Sequence, residues 1–298
     1  MSIPVGSSRS RRPLVSREFL TALLLVLPAL VLTLVFKVYP LIQGFITSLH
    51  RKGEWIGFAN YQRMLSDDIW IQSVGNSLKG VLLLPLFVLL PLLVAFALFR
   101  AIRGWRTHRA IYLMSYLLPA AMAGLIFSLM LGYEGPINTT LRALGLGDLA
   151  VAWFSDATTA MWAVYGLVFW AWFGLGSIIY LAALATIPED QFEAARLDGA
   201  NGLQVFRYIA IPGVGPTIGY WGVVTTAGLF LWLFPFIATS THGGPGYAST
   251  TPEVRIYTTF TKGLNQEYAS ALGLTLFAIV LVVCVFQVRW MYSHANQS

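Results

Sequence analysis

The residue types that do covalent chemistry are sparse and badly placed for it in these 298 residues. His50, His108, His242 and His294 are scattered, and no spacing puts two of them on one helix face to hold a metal. No nucleophile and base can be paired, and the single Cys284 allows neither an intrachain disulfide nor a cysteine cluster. A G-x-x-x-x-G-K-[ST] phosphate loop is absent, as is any Gly-Lys dipeptide, so a nucleotide would have to be bound by another subunit. The patterned polar residues lie in one segment, Ile187 to Pro216, which reads IPEDQFEAARLDGANGLQVFRYIAIPGVGP. Pro188, Glu189 and Asp190 make a helix first turn, where proline gives up no needed donor and acids meet the positive helix end. Asp198 and Gly199 end that helix in a turn that glycine can enter left-handed. Asn201 with Gln204 predicts a capping box for a second short helix, and Pro212 stops it. From the residues alone this is an interfacial helix pair, resting on lipid or docking as a helix in a partner's groove.

The elements around that loop are set by composition. Hydrophobic residues make up 57% of the chain and charged ones 11%, against roughly 25% charged in a soluble domain. Six apolar runs are long enough to cross a membrane: Phe19 to Phe36, Val81 to Phe99, Ala110 to Leu131, Thr158 to Ile187, Gly213 to Thr241 and Ala269 to Val288. None contains Asp, Glu, Lys or Arg, and the first reads as a retained span, not a cleaved signal. The expected organisation is a cytoplasmic arm over 1–18, a first transmembrane helix over 19–36 and an outer loop with short helices over 37–80. A core over 81–288 follows, containing the cytoplasmic loop 187–216, then a cytoplasmic tail over 289–298. The densest basic clusters, Arg9 to Arg17 and Arg100 to Arg109, place both termini in the cytoplasm. The net charge of +6 therefore reflects topology or anionic lipid, since no aromatic interleaving suggests nucleic acid. Pro85, Pro91 and Pro119 should kink their spans, and Trp153 and Phe154 read as interface anchors.

All thirteen acidic residues fall outside the six spans, which counts against an ion-coupled secondary carrier, and no filter loop or charged ring suggests a channel. The run Glu193, Ala194, Ala195, three residues, Gly199, nine residues, Ile209, one residue, Ile211, Pro212 resembles the EAA loop of ABC importer permeases. EAARLDGANGLQVFRYIAIP is similar to the carbohydrate branch, the maltose-type and glycerol-phosphate-type permeases, as are ANYQRML, GPINTTLRALGL and THGGPGYAST. Ile211 stands where the pattern usually has Leu, and Asn201 and Gly202 replace a Ser and a bulkier residue.

The resemblance implies an all-α integral membrane protein of the type I ABC importer permease fold, in the plasma (inner) membrane. It implies no catalysis and no cofactor in this chain, with ATP and magnesium bound by a partner. Glu193, Ala194, Ala195, Asp198, Gly199, Ala200, Ile209 and Pro212 would form the ATPase-coupling interface. The implied partners are two ATP-binding subunits, a second and different permease, an extracytoplasmic sugar-binding protein and membrane lipid. Gly166, Gly174, Gly176, Gly219, Gly222 and Gly228 could serve close helix contact with that permease or within the chain. Sugars are held by aromatic faces and hydrogen bonds, and Trp232, Phe236, Trp221 and Tyr220 are the candidate pathway residues. The substrate expected is a neutral carbohydrate, with a glycerol phosphate or polyol as the alternative within the family and an ion-coupled carrier as the alternative outside it.

Overall fold

The computed structural model describes residues 17–99 and 105–295. Expectations attached to Arg9, Arg11, Arg12, Arg100 and Arg103 lie outside the described residues. Apart from one two-residue antiparallel pair, β1 (His50–Arg51) with β2 (Glu54–Trp55), the regular structure described is helical. Four helical stretches are long and apolar enough to cross a membrane, and six if each of two bent pairs is one span.

The first span is α1 (Arg17–Thr33), a wide turn over Leu34–Val38 and α2 (Tyr39–Ser48). It continues well past Phe36, where Lys37 marks an end in the sequence. Pro40 lacks an N–H to donate back, and the helix widens ahead of it rather than stopping. The small α3 (Ala59–Leu65) follows β2.

The second span also exceeds its expected bounds. It begins with α4 (Asp68–Leu82), breaks at Leu83 ahead of Pro85 and resumes as α5 (Leu84–Phe99), which carries Pro91 without a break. Ser73, Asn76 and Ser77 make α4 look polar, yet all three are buried. The Asn76 amide donates to Ala248 O and Thr250 O at 2.8 and 2.9 Å, so a distant loop satisfies a group that would otherwise be costly inside a membrane.

In the third span, α6 (Trp105–Leu117) and α7 (Ala120–Met130) meet at 101° across Leu118 and Pro119. The segment after it contains α8 (Pro136–Ala143) and folds around Asn138, whose amide donates to Val151 O and accepts from Trp153 Nε1 at 2.9 Å. Trp153 is thus half-buried and Phe154 fully buried, so both pack within the protein where the sequence suggests membrane-interface anchors. The central helix is α9 (Ala160–Leu184), against which α5, α6, α7 and the helices of the fifth span pack. Short α10 (Glu189–Leu197), α11 (Gly202–Val205) and α12 (Ile211–Gly213) make the loop after it.

The fifth span departs most from expectation. Instead of one helix over 213–241 there are α13 (Gly215–Leu231) and α14 (Phe234–Ser240), with a break at Trp232 and Leu233 ahead of Pro235. The freed Leu233 and Phe234 N–H groups both donate to the carboxylate of Glu253 on α15 (Pro252–Thr261), at 3.2 and 2.7 Å. The last span is α16 (Gln266–Ala295).

Three buried clusters fill the bundle. One surrounds Val164, Tyr165, Leu167 and Val168 of α9, a second joins Leu92, Phe96 and Tyr180 to Phe192 and Val205 of the loop, and a third lies under α3 and α15 around Trp70, Phe230 and Tyr268. Between helices in lipid these contacts count as close packing rather than as surface removed from water. No apolar residue of α1 from Leu23 onward is buried.

Candidate functional site

Two sites predicted from the sequence can be located, at one end of the bundle and within it. At the loop end, α10 ends in a Schellman turn: Gly199 adopts φ +74°, its N–H donates to Arg196 O, and the Ala200 N–H reaches Ala195 O at 2.9 Å. A side chain at 199 would be strained at that φ. The capping box forms as expected, with Asn201 Oδ1 accepting from Gln204 N at 3.0 Å and Gln204 Oε1 accepting from Asn201 N at 2.7 Å. The second helix runs one residue beyond Pro212, through a wide turn at Phe206–Ala210, and the chain bends 73° into α13 at Val214.

Aromatic contacts dock the pair on the spans. Phe192 lies 5.4 Å from Phe99 and Phe206 lies 5.1 Å from Phe96. This splits the residues singled out in the sequence. Ala195, Ala200 and Ile209 turn inward and pack on the cluster around Leu92 and Tyr180, so they set the seat of the loop. Glu193, Ala194, Asp198, Gly199 and Pro212 are exposed. Beside them stand three apolar side chains that motif reading passes over: Leu197 at 89% exposure, Leu203 at 73% and Tyr208 at 70%. Their signal in the sequence was an apolar residue on the outward face of otherwise polar short helices. A cavity of about 510 Å³ between Phe99, Ile187, Glu189, Phe192, Arg196 and Val205 opens beside this face.

Within the bundle, α6, α9 and α13 enclose a smaller cavity of about 140 Å³ lined by Tyr116, Trp172, Leu175, Trp221, Val224, Thr225 and Trp232. The Trp172 and Trp232 rings meet edge to face at 6.3 Å, and Trp221 is fixed by its Nε1 donating to Phe87 O at 3.1 Å. Glycine makes room for these rings, since a Cβ on Gly228 would lie 2.5 Å from Trp172 and 2.9 Å from Trp232. The Thr225 hydroxyl is buried behind this aromatic wall with no hydrogen-bond partner.

Of the four pathway candidates, Trp232 and Trp221 line this cavity. Phe236 does not, being buried among the core residues around α9, and Tyr220 is 58% exposed and not part of the lining. Tyr116 and Thr225 are additions that only the fold brings to the site. Of the small residues considered for close contact, Gly174, Gly176, Gly219 and Gly228 meet Tyr112, Trp221, Met291 and Trp172 of this same chain, while Gly166 has nothing near it.

Comparison with known proteins shows the family and the fold. The family described as "Binding-protein-dependent transport system inner membrane component" matches residues 79–297. A probable ABC transporter permease protein of Pyrococcus horikoshii is 31% identical, with 91% of this chain and 95% of that protein covered. The sn-glycerol-3-phosphate transport system permease protein UgpA of Brucella suis is 31% identical over 92% and 95%. The sulfoquinovosyl glycerol transport system permease protein SmoG of Agrobacterium fabrum is 30% identical over 91% and 90%. A chain in the crystal structure of a bacterial ABC transporter that imports the acidic polysaccharide alginate superimposes with TM-score 0.82 at 22% identity, covering 93% of this chain and 96% of that one. With the family matched over most of its length and the fold matched nearly end to end, this integral membrane chain belongs to the binding-protein-dependent transport system inner membrane components, the permeases of ABC transporters.

Proposed function

We propose that the chain is one of two different permease subunits of a carbohydrate importer in the plasma membrane, with both termini in the cytoplasm. The observation that carries this reading is the exposed face of Glu193, Ala194, Leu197, Asp198 and Leu203, presented by a loop whose inner face is bolted to the spans by Phe192 and Phe206. A surface of that kind suits a groove on an ATP-binding subunit that holds ATP and magnesium. Closure of two such subunits would push the loop, and the rigid aromatic seat would pass the push to α5 and α13. The permease pair would then alternate between openings, receiving cargo from a separate binding protein. Lipid and the second permease would cover the apolar α1.

Carbohydrate cargo is supported by the named relatives and by the aromatic cavity. Trp172, Trp221 and Trp232 would stack on sugar C–H faces. The relatives also support acid-bearing cargo, since glycerol-3-phosphate and sulfoquinovosyl glycerol each carry an acid group.

The test is ATP-dependent sugar uptake in vesicles holding the co-expressed complex, comparing wild type with Glu193→Lys and Gly199→Trp while confirming assembly. Loss of uptake with ATPase activity uncoupled is expected. Undiminished, ATP-independent uptake would overturn the reading in favour of an ion-coupled carrier.

A further inference from the structure

The end of the bundle opposite the loop holds a cavity of about 390 Å³ that neither site above uses. Arg63 of α3, His242 and Tyr247 of the connection after α14, Arg255 and Thr259 of α15, and Lys262 beyond it contribute to its walls. Three permanent cations therefore share one half-enclosed space. Only Arg255 is neutralised, by Asp67 at 2.7 Å. That carboxylate is fully committed, its Oδ2 accepting from Arg255 and from Tyr268 Oη and its Oδ1 capping α4. Burial pushes the Asp67 pKa up, but those hydrogen bonds and the Arg255 charge hold it below the usual carboxylate range.

Arg63 and Lys262 have no acidic partner among the described residues. The Arg63 guanidinium lies over the Tyr268 ring at 4.2 Å, which orients the cation without cancelling its charge. Two polar groups in the same walls are also unsatisfied: Arg255 Nε and the hydroxyl of Thr259, a residue only 7% exposed. Those two atoms lie behind the wall, so it is the uncompensated charge of Arg63 and Lys262 on one half-enclosed space that suits it to an anion. His242 and Tyr247 border it with φ of +54° and +68°, values that non-glycine residues seldom adopt.

We propose that this cavity is a second ligand site, selective for the acid group of a small saccharide or polyol: a carboxylate, phosphate or sulfonate. Arg63 and Lys262 supply the charge and the directed hydrogen bonds, and Tyr247 an aromatic face for the carbon skeleton. The proposal rests on the importer reading in one respect, that this end faces the outside. Positive charge there is not accounted for by membrane topology, which retains Lys and Arg on the inner side. The cargo would be caught by its acid group at the outer surface, while the aromatic cavity inside the bundle handles the uncharged part.

The test is equilibrium binding to the assembled complex in nanodiscs, without ATP and without the binding protein, read by saturation-transfer NMR. The probes are glucuronic acid, glucose and inorganic sulfate. Glucuronate should bind at least about tenfold more tightly than glucose and be displaced by sulfate. Lys262→Gln and Arg63→Gln should each weaken glucuronate about tenfold, the loss of one charge-assisted bond, and leave glucose unchanged. Lys262→Arg should restore binding. Lys262 is exposed, so its variants should fold normally. Equal binding of glucuronate and glucose, or indifference of glucuronate to both variants, would overturn the proposal. So would loss of binding-protein docking in variants of a complex that never binds glucuronate, which would assign the cavity to a protein carboxylate. Because nothing here depends on ATP, these results are separate from those that decide the importer reading.

Discussion

The two ends of the bundle are held by opposite means. The loop after α9 is built from neighbours in sequence: the Schellman bonds join residues three and five apart and the capping box residues three apart. The other end is tied across the chain, by Asp67 to Arg255 and Tyr268, Asn76 to Ala248 and Thr250, and Glu253 to Leu233 and Phe234. A locally built element keeps its shape when its outer face is left bare, as it is at exposed Leu197 and Leu203. A cap built from distant strands of chain is rigid only while every tie is made. The contrast suits the importer proposed above, in which the loop end would be pushed by a partner and the other end would face the outside.

The comparison breaks most severely at the cap. Asp67→Ala should cost about 3–5 kcal/mol, because Arg255 is left mostly buried with its charge unpaired and α4 loses its N-cap. The thermal midpoint of the purified complex reads this, and a loss under 1 kcal/mol would show that the tie is incidental.

Glu253 sharpens the contrast through pH. Burial raises its pKa from 4.5 to about 7, although the Leu233 and Phe234 N–H groups pull it down. A carboxyl raised on folding stabilises most below its unfolded value, and that contribution is lost as pH rises from about 4.5 through about 7. The midpoint should therefore fall across that window by an amount worth roughly 3 kcal/mol, and Glu253→Gln should flatten the profile. An unchanged profile in the variant would place the titrating group elsewhere.

Within the bundle, Gly228→Ala should cost about 1–3 kcal/mol by forcing Trp172 and Trp232 apart, and should impair sugar uptake. Full uptake by that variant would argue against the cavity lying on the pathway.

The smallest effect on stability belongs to the loop end. Leu197→Ser should change the midpoint by less than about 0.5 kcal/mol, since Leu197 touches little of its own chain, yet reduce ATP-dependent uptake. Normal uptake would remove Leu197 from the contact face.

The loop and its caps were legible because each signal is local: Gly199 at the end of α10, the Asn201 and Gln204 pair three apart, Pro188 ahead of two acids. The apolar runs were legible for the same reason, as length and composition suffice to identify a helix that can cross a membrane. Their ends were not. Lys37 and the polar face of α4 look like boundaries, but a helix continues wherever tertiary partners accept its polar groups, as Ala248 and Thr250 do for Asn76. The break at Trp232 was missed because Pro235 signals only that a donor is absent, not that Glu253 would take up the two N–H groups left over.

Sequence by itself determined the class of protein, the helices and the turn geometry of the EAA loop, all properties of short stretches of chain. Tertiary structure alone decided which residues share a cavity: it joined Tyr116 and Thr225 to Trp221 and Trp232, sent Phe236 into the core, turned Ala195 inward, and gathered Arg63, Arg255 and Lys262 around one space. Aromatic and basic side chains look alike in any apolar or loop segment. What they do depends on neighbours a hundred or more residues away, which no periodicity records.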